Sequence, residues 1–227
     1  MIPVECAMLV MAKAPVAGQA KTRLTSTYSP EVAAELAAAA LLDTLDAVRC
    51  TPASARIVAL TGDLSRSNRG EVIASALSQF TIIDQRGDEF AMRLVEAHRD
   101  AAAIAGCPVL QIGMDTPQVT PELLAEAAAT LVAPDVDAVL GMATDGGWWA
   151  LGVSGPDTAS VLADVSMSRS DTGARTLDAL RNSGCRVSEL MTLTDVDTSD
   201  DVWRVAETLA VDSHFRCAAE RHCSLTR

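Results

Sequence analysis

Apolar residues along the chain fall into short blocks whose spacing alternates between that of strands and that of helices. Residues 7–12 (AMLVMA) are a continuous apolar run ending at a loop that holds Lys, Pro and Gly, the pattern of a buried strand feeding a site. Ser29 and Pro30 then supply an N-cap and a first-turn proline for an Ala- and Leu-rich helix running to about Arg49. The alternation repeats, with strands expected over 56–61, 80–83 and 108–112 and helices over 70–77, 88–105 and 120–132. Strands follow at 136–140 and 148–153, then helical stretches at 156–163 and 172–182, a strand at 186–190 and a helix at 199–211. This order predicts an α/β three-layer sandwich with a mostly parallel sheet covered on both faces. Residues 212–227 have weak periodicity and are expected to form a peripheral tail on a single catalytic domain spanning 1–211.

Composition narrows this picture. At 227 residues and 49% hydrophobic content the chain can bury a large core, yet only 3% is aromatic, so Ala, Val, Leu and Ile must fill it. That is the composition of Ala-rich helices lying on a Val-rich sheet. The net charge of -12 argues against a nucleic-acid partner, which needs a basic face. No segment has the pattern of a signal peptide or approaches the roughly 20 apolar residues of a membrane span, so a cytoplasmic protein is expected. The six cysteines are then expected as free thiols.

Against that acidic background, Lys13, Lys21 and Arg23 stand together with no acid among them. Ligands in open α/β sheets bind outside the carboxyl ends of the strands, so the loops there are where chemistry is sought. Four are unusual. In KAPVAGQAKTRL (13–24), small residues let the backbone approach phosphates and the cations can neutralise them, although the loop is no Walker motif; an ordinary basic surface loop has the same composition. In GMDTP (113–117), Asp115 follows an apolar strand, where a divalent cation is a natural partner; it could equally cap a turn before Pro117. In DGGWW (145–149), aromatic faces beside Asp145 suit a sugar or base, or the glycines form a hairpin turn with the tryptophans in the core. In DVDTSDD (195–201), helix capping explains Asp200 and Asp201 but leaves Asp195 and Asp197 without a role. A metal site from His214, Cys217, His222 and Cys223 matches no familiar zinc spacing, and His98 reads as an ordinary helical residue.

KAPVAGQAKTRL, IGMDTP, DGGWW and DVDT, in this order, make the chain resemble the radical-SAM/selenodomain-associated transferase 1 family, glycosyltransferase-like proteins of the nucleotide-diphospho-sugar transferase (GT-A) superfamily. The resemblance runs from about Met8 to Val205. It implies a GT-A fold and a nucleotide cradle from Lys13, Ala14, Gly18, Lys21 and Arg23, joined by Asp88 and Arg93 of a drifted Gly-Asp-Arg segment. It further implies Mg²⁺ or Mn²⁺ at Asp115 and Asp197, and Asp145, Gly146, Gly147, Trp148 and Ser168 facing the acceptor or sugar. Asp115, Asp145 and Lys21 are the residues expected to act in catalysis. The family pattern has Tyr-Tyr where Trp148-Trp149 stands and Trp-Ser-Thr near Ser168, so the acceptor end is where this chain departs most.

The expected partners are therefore a nucleotide or nucleotide-sugar donor and a small-molecule acceptor. The family resemblance slightly favours glycosyl transfer. Three cations in one loop and Pro117 in place of a second nearby acid favour nucleotidyl transfer. A nucleotide-binding protein without turnover is the remaining reading, opposed by the joint presence of the acids and the basic loop.

Overall fold

A computed structural model describes residues 4–223. Seven strands form one sheet in the order β3-β2-β1-β4-β6-β5-β7: β1 (Val4–Lys13), β2 (Ala53–Thr61), β3 (Thr81–Asp84), β4 (Val109–Gly113), β5 (Ala138–Ala143), β6 (Trp148–Val153) and β7 (Val187–Leu193). All neighbouring pairs are parallel except those of β6, which runs antiparallel to both β4 and β5. Helices α1 (Pro30–Cys50), α2 (Gly70–Leu77), α3 (Phe90–Ala105), α4 (Pro121–Leu131), α5 (Thr172–Asn182), α6 (Ser199–Ala206) and α7 (His214–His222) complete the architecture. This is the expected α/β sandwich with a mostly parallel sheet.

Two apolar layers enclose the sheet. On one face Met8, Val10, Leu110 and Ile112 pack against Leu41, Leu45 and Leu124 of α1 and α4. On the other, Leu9, Ile57 and Leu151 pack against Leu94 and Val95 of α3 and Leu177 of α5. Alternate residues of one strand thus serve opposite cores, as the period-two pleat requires. Small residues set the spacing: α1 buries Ala33, Ala34, Ala37, Ala38, Ala39 and Ala40, so its backbone lies close to its neighbours. The predicted caps are in place, Ser29 accepting from Val32 N–H and Thr120 from Leu123 N–H.

Three segments differ from their sequence pattern. Residues 158–164 form a 3₁₀ turn rather than an α-helix, and the helix expected over 199–211 stops at Ala206. Within the stretch expected as a peripheral tail, α7 buries Phe215, Ala218 and Ala219 in a cluster with Leu36 of α1 and Val205 of α6. Asp43 of α1 fixes it, accepting from Ser213 Oγ at 2.7 Å and from the backbone N–H of His214 and Phe215 at 2.8 and 2.9 Å. Three inward residues in nine leave little periodicity to read, and the anchoring carboxylate lies far away in sequence. Residues 224–227 of that stretch lie outside the described residues. All six cysteines are free, as expected. Among the described residues, no helix is long and apolar enough to cross a membrane.

Candidate active site at the carboxyl edge of the sheet

The loops after β1, β4 and β7 and the β5–β6 hairpin all open on one edge of the sheet and surround a cleft of about 440 Å³. Its wall includes Lys13, Arg23, Arg93, Asp115, Asp145, Gly147, Trp148, Ser168, Asp195 and Asp197. A second hollow of about 260 Å³ adjoins it, bounded by Lys13, Gln19, Lys21, Thr22, Arg23, Asp115 and Asp197.

Lys21 is the hinge between the acids. Its Nζ lies 2.7 Å from Asp115 Oδ2 and 3.0 Å from Asp197 Oδ1, and Arg23 makes a further ion pair with Asp197. Burial works against the charge on Lys21, but the two carboxylates outweigh it and hold the ammonium above the usual lysine range. Burial likewise opposes ionisation of Asp197, and Lys21 with Arg23 more than offsets it, keeping this carboxyl below its usual range. The Asp115 backbone carbonyl accepts from Val196 N–H at 3.2 Å, which ties the β4 loop to the β7 loop and sets the two acids side by side.

Asp195 makes no ion pair among the described residues, and its one side-chain partner is Thr116. Burial, and then the charge of Asp115, push its carboxyl up to about 7; the hydrogen bond donated by Thr116 Oγ1 counters this only in part. A perturbed carboxyl in a cleft, beside two that are paired, is the electrostatic signature of a functional site.

The other predicted residues divide. Arg93 reaches the cleft with its guanidinium held by the carbonyls of Gly87 and Asp88, at 3.0 and 3.3 Å; Asp88 thus positions Arg93 through its backbone and does not itself line the cleft. Lys13 Nζ bonds the Gln19 carbonyl at 3.0 Å. Neither Lys13 nor Arg93 makes an ion pair among the described residues, so neither charge is compensated there by a carboxylate. Ala14 is buried and donates its amide to Thr61, while Gly18, in left-handed backbone with φ 76°, stands outside both hollows.

In the hairpin, Asp145 Oδ1 accepts from Gly147 N–H at 2.8 Å, which closes the turn, and Asp145 also lines the cleft. Adjacent residues of β6 face opposite ways: Trp148 lines the cleft, whereas Trp149 is buried and donates to the Met191 carbonyl at 2.9 Å. Gly146 has φ 89° and lies off the cleft wall, where a Cβ would stand 1.9 Å from the Ser170 carbonyl oxygen. Ser168 lines the cleft from a left-handed conformation with φ 59°.

Three residues had no assigned role in the sequence. Gln85 bridges the ends of β1 and β2, donating to the Ala12 and Ala59 carbonyls at 2.9 Å each, and lines the cleft. Gln111, the one polar residue of the strand VLQI, is buried at the cleft floor with its Oε1 unpartnered. Asp195 is the third. Conversely, the tail residues do not assemble: Cys217 Sγ meets the Val211 carbonyl and His214 lies 3.6 Å from Asp46. His214 and His222 sit at opposite ends of α7, roughly 12 Å apart by helical rise.

Asp115 and Asp197 place oxygens around a single point, now held by an ammonium. Two hard carboxylate oxygens fit Mg²⁺ or Mn²⁺, which fill the rest of their shell with water and substrate phosphates.

Residues 44–169 match the family described as "Uncharacterized protein conserved in bacteria (DUF2064)". The chain belongs to this family. No curated protein sequence matches it. Among solved structures, it is similar to a "putative nucleotide-diphospho-sugar transferase" from Desulfovibrio desulfuricans G20, at 24% identity and a TM-score of 0.82 over 99% of this chain and 96% of that one. It also resembles Rv0371c of Mycobacterium tuberculosis H37Rv in complex with manganese, at 22% identity and a TM-score of 0.54 over 90% of this chain and 99% of the other. A nucleotidyl transferase from Methanothermobacter thermautotroptrophicus is similar at 16% identity, TM-score 0.56, over 93% of this chain and 98% of that one. At these identities the likeness establishes the fold.

Proposed function

We propose that this DUF2064 protein is a divalent-metal-dependent transferase acting on a nucleotide-activated substrate. The observation that carries the reading is the convergence of Asp115 and Asp197, from the β4 and β7 loops, beside a loop whose cations face the same cleft. The motif resemblance to the radical-SAM/selenodomain-associated transferases and the manganese complex of a protein of the same fold support it.

In this reading Lys13, Arg23 and Arg93 bind the donor phosphates, and Mg²⁺ or Mn²⁺ held by Asp115 and Asp197 supplies charge neutralisation at those phosphates. Gln85 keeps the ends of β1 and β2 together beneath the donor. Asp145, Gly147, Trp148 and Ser168 face the acceptor, with Asp145 held in orientation by its bond from Gly147 N–H. Catalysis is then mostly positioning and fixed charge.

Of the two reactions, the geometry favours nucleotidyl transfer, against the slight motif preference for glycosyl transfer. The second acid comes from a separate strand end, and buried Pro117 holds the position two residues after Asp115 where an Asp-x-Asp pair has its second acid. An oxygen of a phosphorylated acceptor attacks the α-phosphorus of a nucleoside triphosphate, the bridging α–β P–O bond breaks, and pyrophosphate leaves. Glycosyl transfer is the second reading, favoured by Trp148 on the cleft wall next to Asp145, a face suited to a sugar ring. A screen of nucleoside triphosphates and nucleotide sugars with Mg²⁺ or Mn²⁺ and mixed acceptors decides. Release of pyrophosphate supports the first, release of a nucleoside diphosphate replaces it with the second, and no product from any donor refutes both.

A further inference from the structure

Lys21 is the least conventional feature of the edge. A side chain only 10% exposed carries a full charge, on a backbone in the left-handed region at φ 47° and ψ 45°. A non-glycine residue there is strained, and nothing at its own position caps the turn that follows. What this conformation secures is the placement of one ammonium between two carboxylates. Lys13 and Arg23, the other cations of the loop, are exposed, Arg23 reaching Asp197 from the surface, so of the three only the Lys21 side chain is largely covered.

We infer that Lys21 is a resident counter-ion that keeps the metal site latent, and that phosphates of an incoming donor release it by drawing its ammonium away from Asp115 and Asp197. The inference rests on the metal assignment proposed above. Nζ occupies the point between Asp115 Oδ2 and Asp197 Oδ1 that a cation bridging them would take, and withdrawing it without a replacement leaves the two part-buried carboxylates uncompensated. The 260 Å³ hollow provides the alternative. Lys21 already borders it with Lys13, Thr22 and Arg23, so an anion there can accept the ammonium after a side-chain rotation that leaves the loop in place. Charge is conserved through the exchange: the ammonium passes from carboxylate to phosphate as the dication takes its place. Donor and metal binding are then coupled in both directions, as linkage demands.

The test uses Mn²⁺ alone, with no nucleotide, so it does not depend on finding the substrate. Mn²⁺ binding to the full chain is measured by calorimetry for the wild type, Lys21→Met and Lys21→Arg. Lys21→Met is expected to bind Mn²⁺ about tenfold more tightly than the wild type or more, with Lys21→Arg close to wild type. Equal or weaker binding by Lys21→Met overturns the inference. Should Lys21→Met lose its cooperative melt in chelator, restoration of that melt by Mn²⁺ supports the same conclusion and its failure to recover overturns it. Tight, Lys21-independent Mn²⁺ binding that disappears in Asp115→Ala leaves the metal assignment standing while removing the latch; no Mn²⁺ binding in any variant removes both.

Discussion

Asp137 and Asp195 are aspartates at opposite ends of the same pair of strands, β5 and β7, and they live under opposite electrostatics. At the amino edge, Asp137 accepts from Arg186 Nε, Nη2 and backbone N–H at 2.9, 3.0 and 2.8 Å. These bonds hold its carboxyl down to about 2. At the carboxyl edge, Asp195 is half-buried near Asp115 and Asp145 and is pushed up to about 7. At the amino edge Asp137 and Arg186 are paired where they stand, whereas the carboxyl edge gathers Asp115, Asp145, Asp195 and Asp197, of which only Asp115 and Asp197 are ion-paired. Folding alone gives no reason for the second arrangement, because like charges near one another oppose it. A bound cation and anion give one.

The largest effect should come from the crowded edge. Asp115→Ala is expected to lower turnover of the donor identified by the screen by about a hundredfold or more, with an unchanged circular dichroism spectrum. The matched change at the other edge, Asp137→Ala, should leave turnover where it was. Equal losses from the two would erase the distinction between the edges.

Next comes the scaffold of the crowded edge. Gly146→Ala places a Cβ against the Ser170 carbonyl oxygen at a φ that side chains avoid. A loss of roughly 2–4 kcal/mol in urea unfolding is expected, since both backbone strain and steric overlap act. Loss of turnover without loss of stability would mean that the hairpin shifts and the fold does not.

His98 separates burial from crowding. It is buried with both ring nitrogens unpartnered, and burial alone lowers its pKa to about 4. A lowered pKa favours the neutral ring in the folded state, so its contribution is full above about 6.5 and is lost as pH falls through about 4. His98→Leu should therefore flatten the fall in unfolding free energy across that window by on the order of 3 kcal/mol. An unchanged slope would assign the acid sensitivity elsewhere. The smallest effect is expected from Asp137→Asn at the well-paired edge. Its destabilisation, measured by thermal melts, should be present at neutral pH and fade as pH falls toward 2, where the wild-type carboxylate is protonated too.

The two edges also differ in how far the sequence discloses them. Strand and helix periods disclosed the layers, because burial on one or both faces writes itself into local spacing. They missed α7, whose anchor is Asp43 in α1, and the 3₁₀ turn at 158–164, which is too short to develop a period. At the site, composition singled out the basic loop and Asp115, and the family resemblance added Asp197. The bond from Lys21 to both acids is a tertiary fact with no local trace. DGGWW leaves no single local reading, because the pleat of β6 sends Trp149 into the core and Trp148 to the cleft wall. Gln111 did leave a mark, as the single polar letter in an apolar strand, and that mark points to the cleft floor.

The proposed metal-dependent nucleotide site at the carboxyl edge rests on its acids. Equilibrium binding of a nucleoside triphosphate and nucleotide-sugar panel, with Mn²⁺ and with chelator, tests it directly in the wild type and in Asp115→Ala. The account predicts a nucleotide that binds at least about tenfold more tightly with Mn²⁺ than without, and whose metal dependence vanishes in Asp115→Ala. Nucleotide binding indifferent to Mn²⁺, or equally metal-dependent in Asp115→Ala, would contradict it.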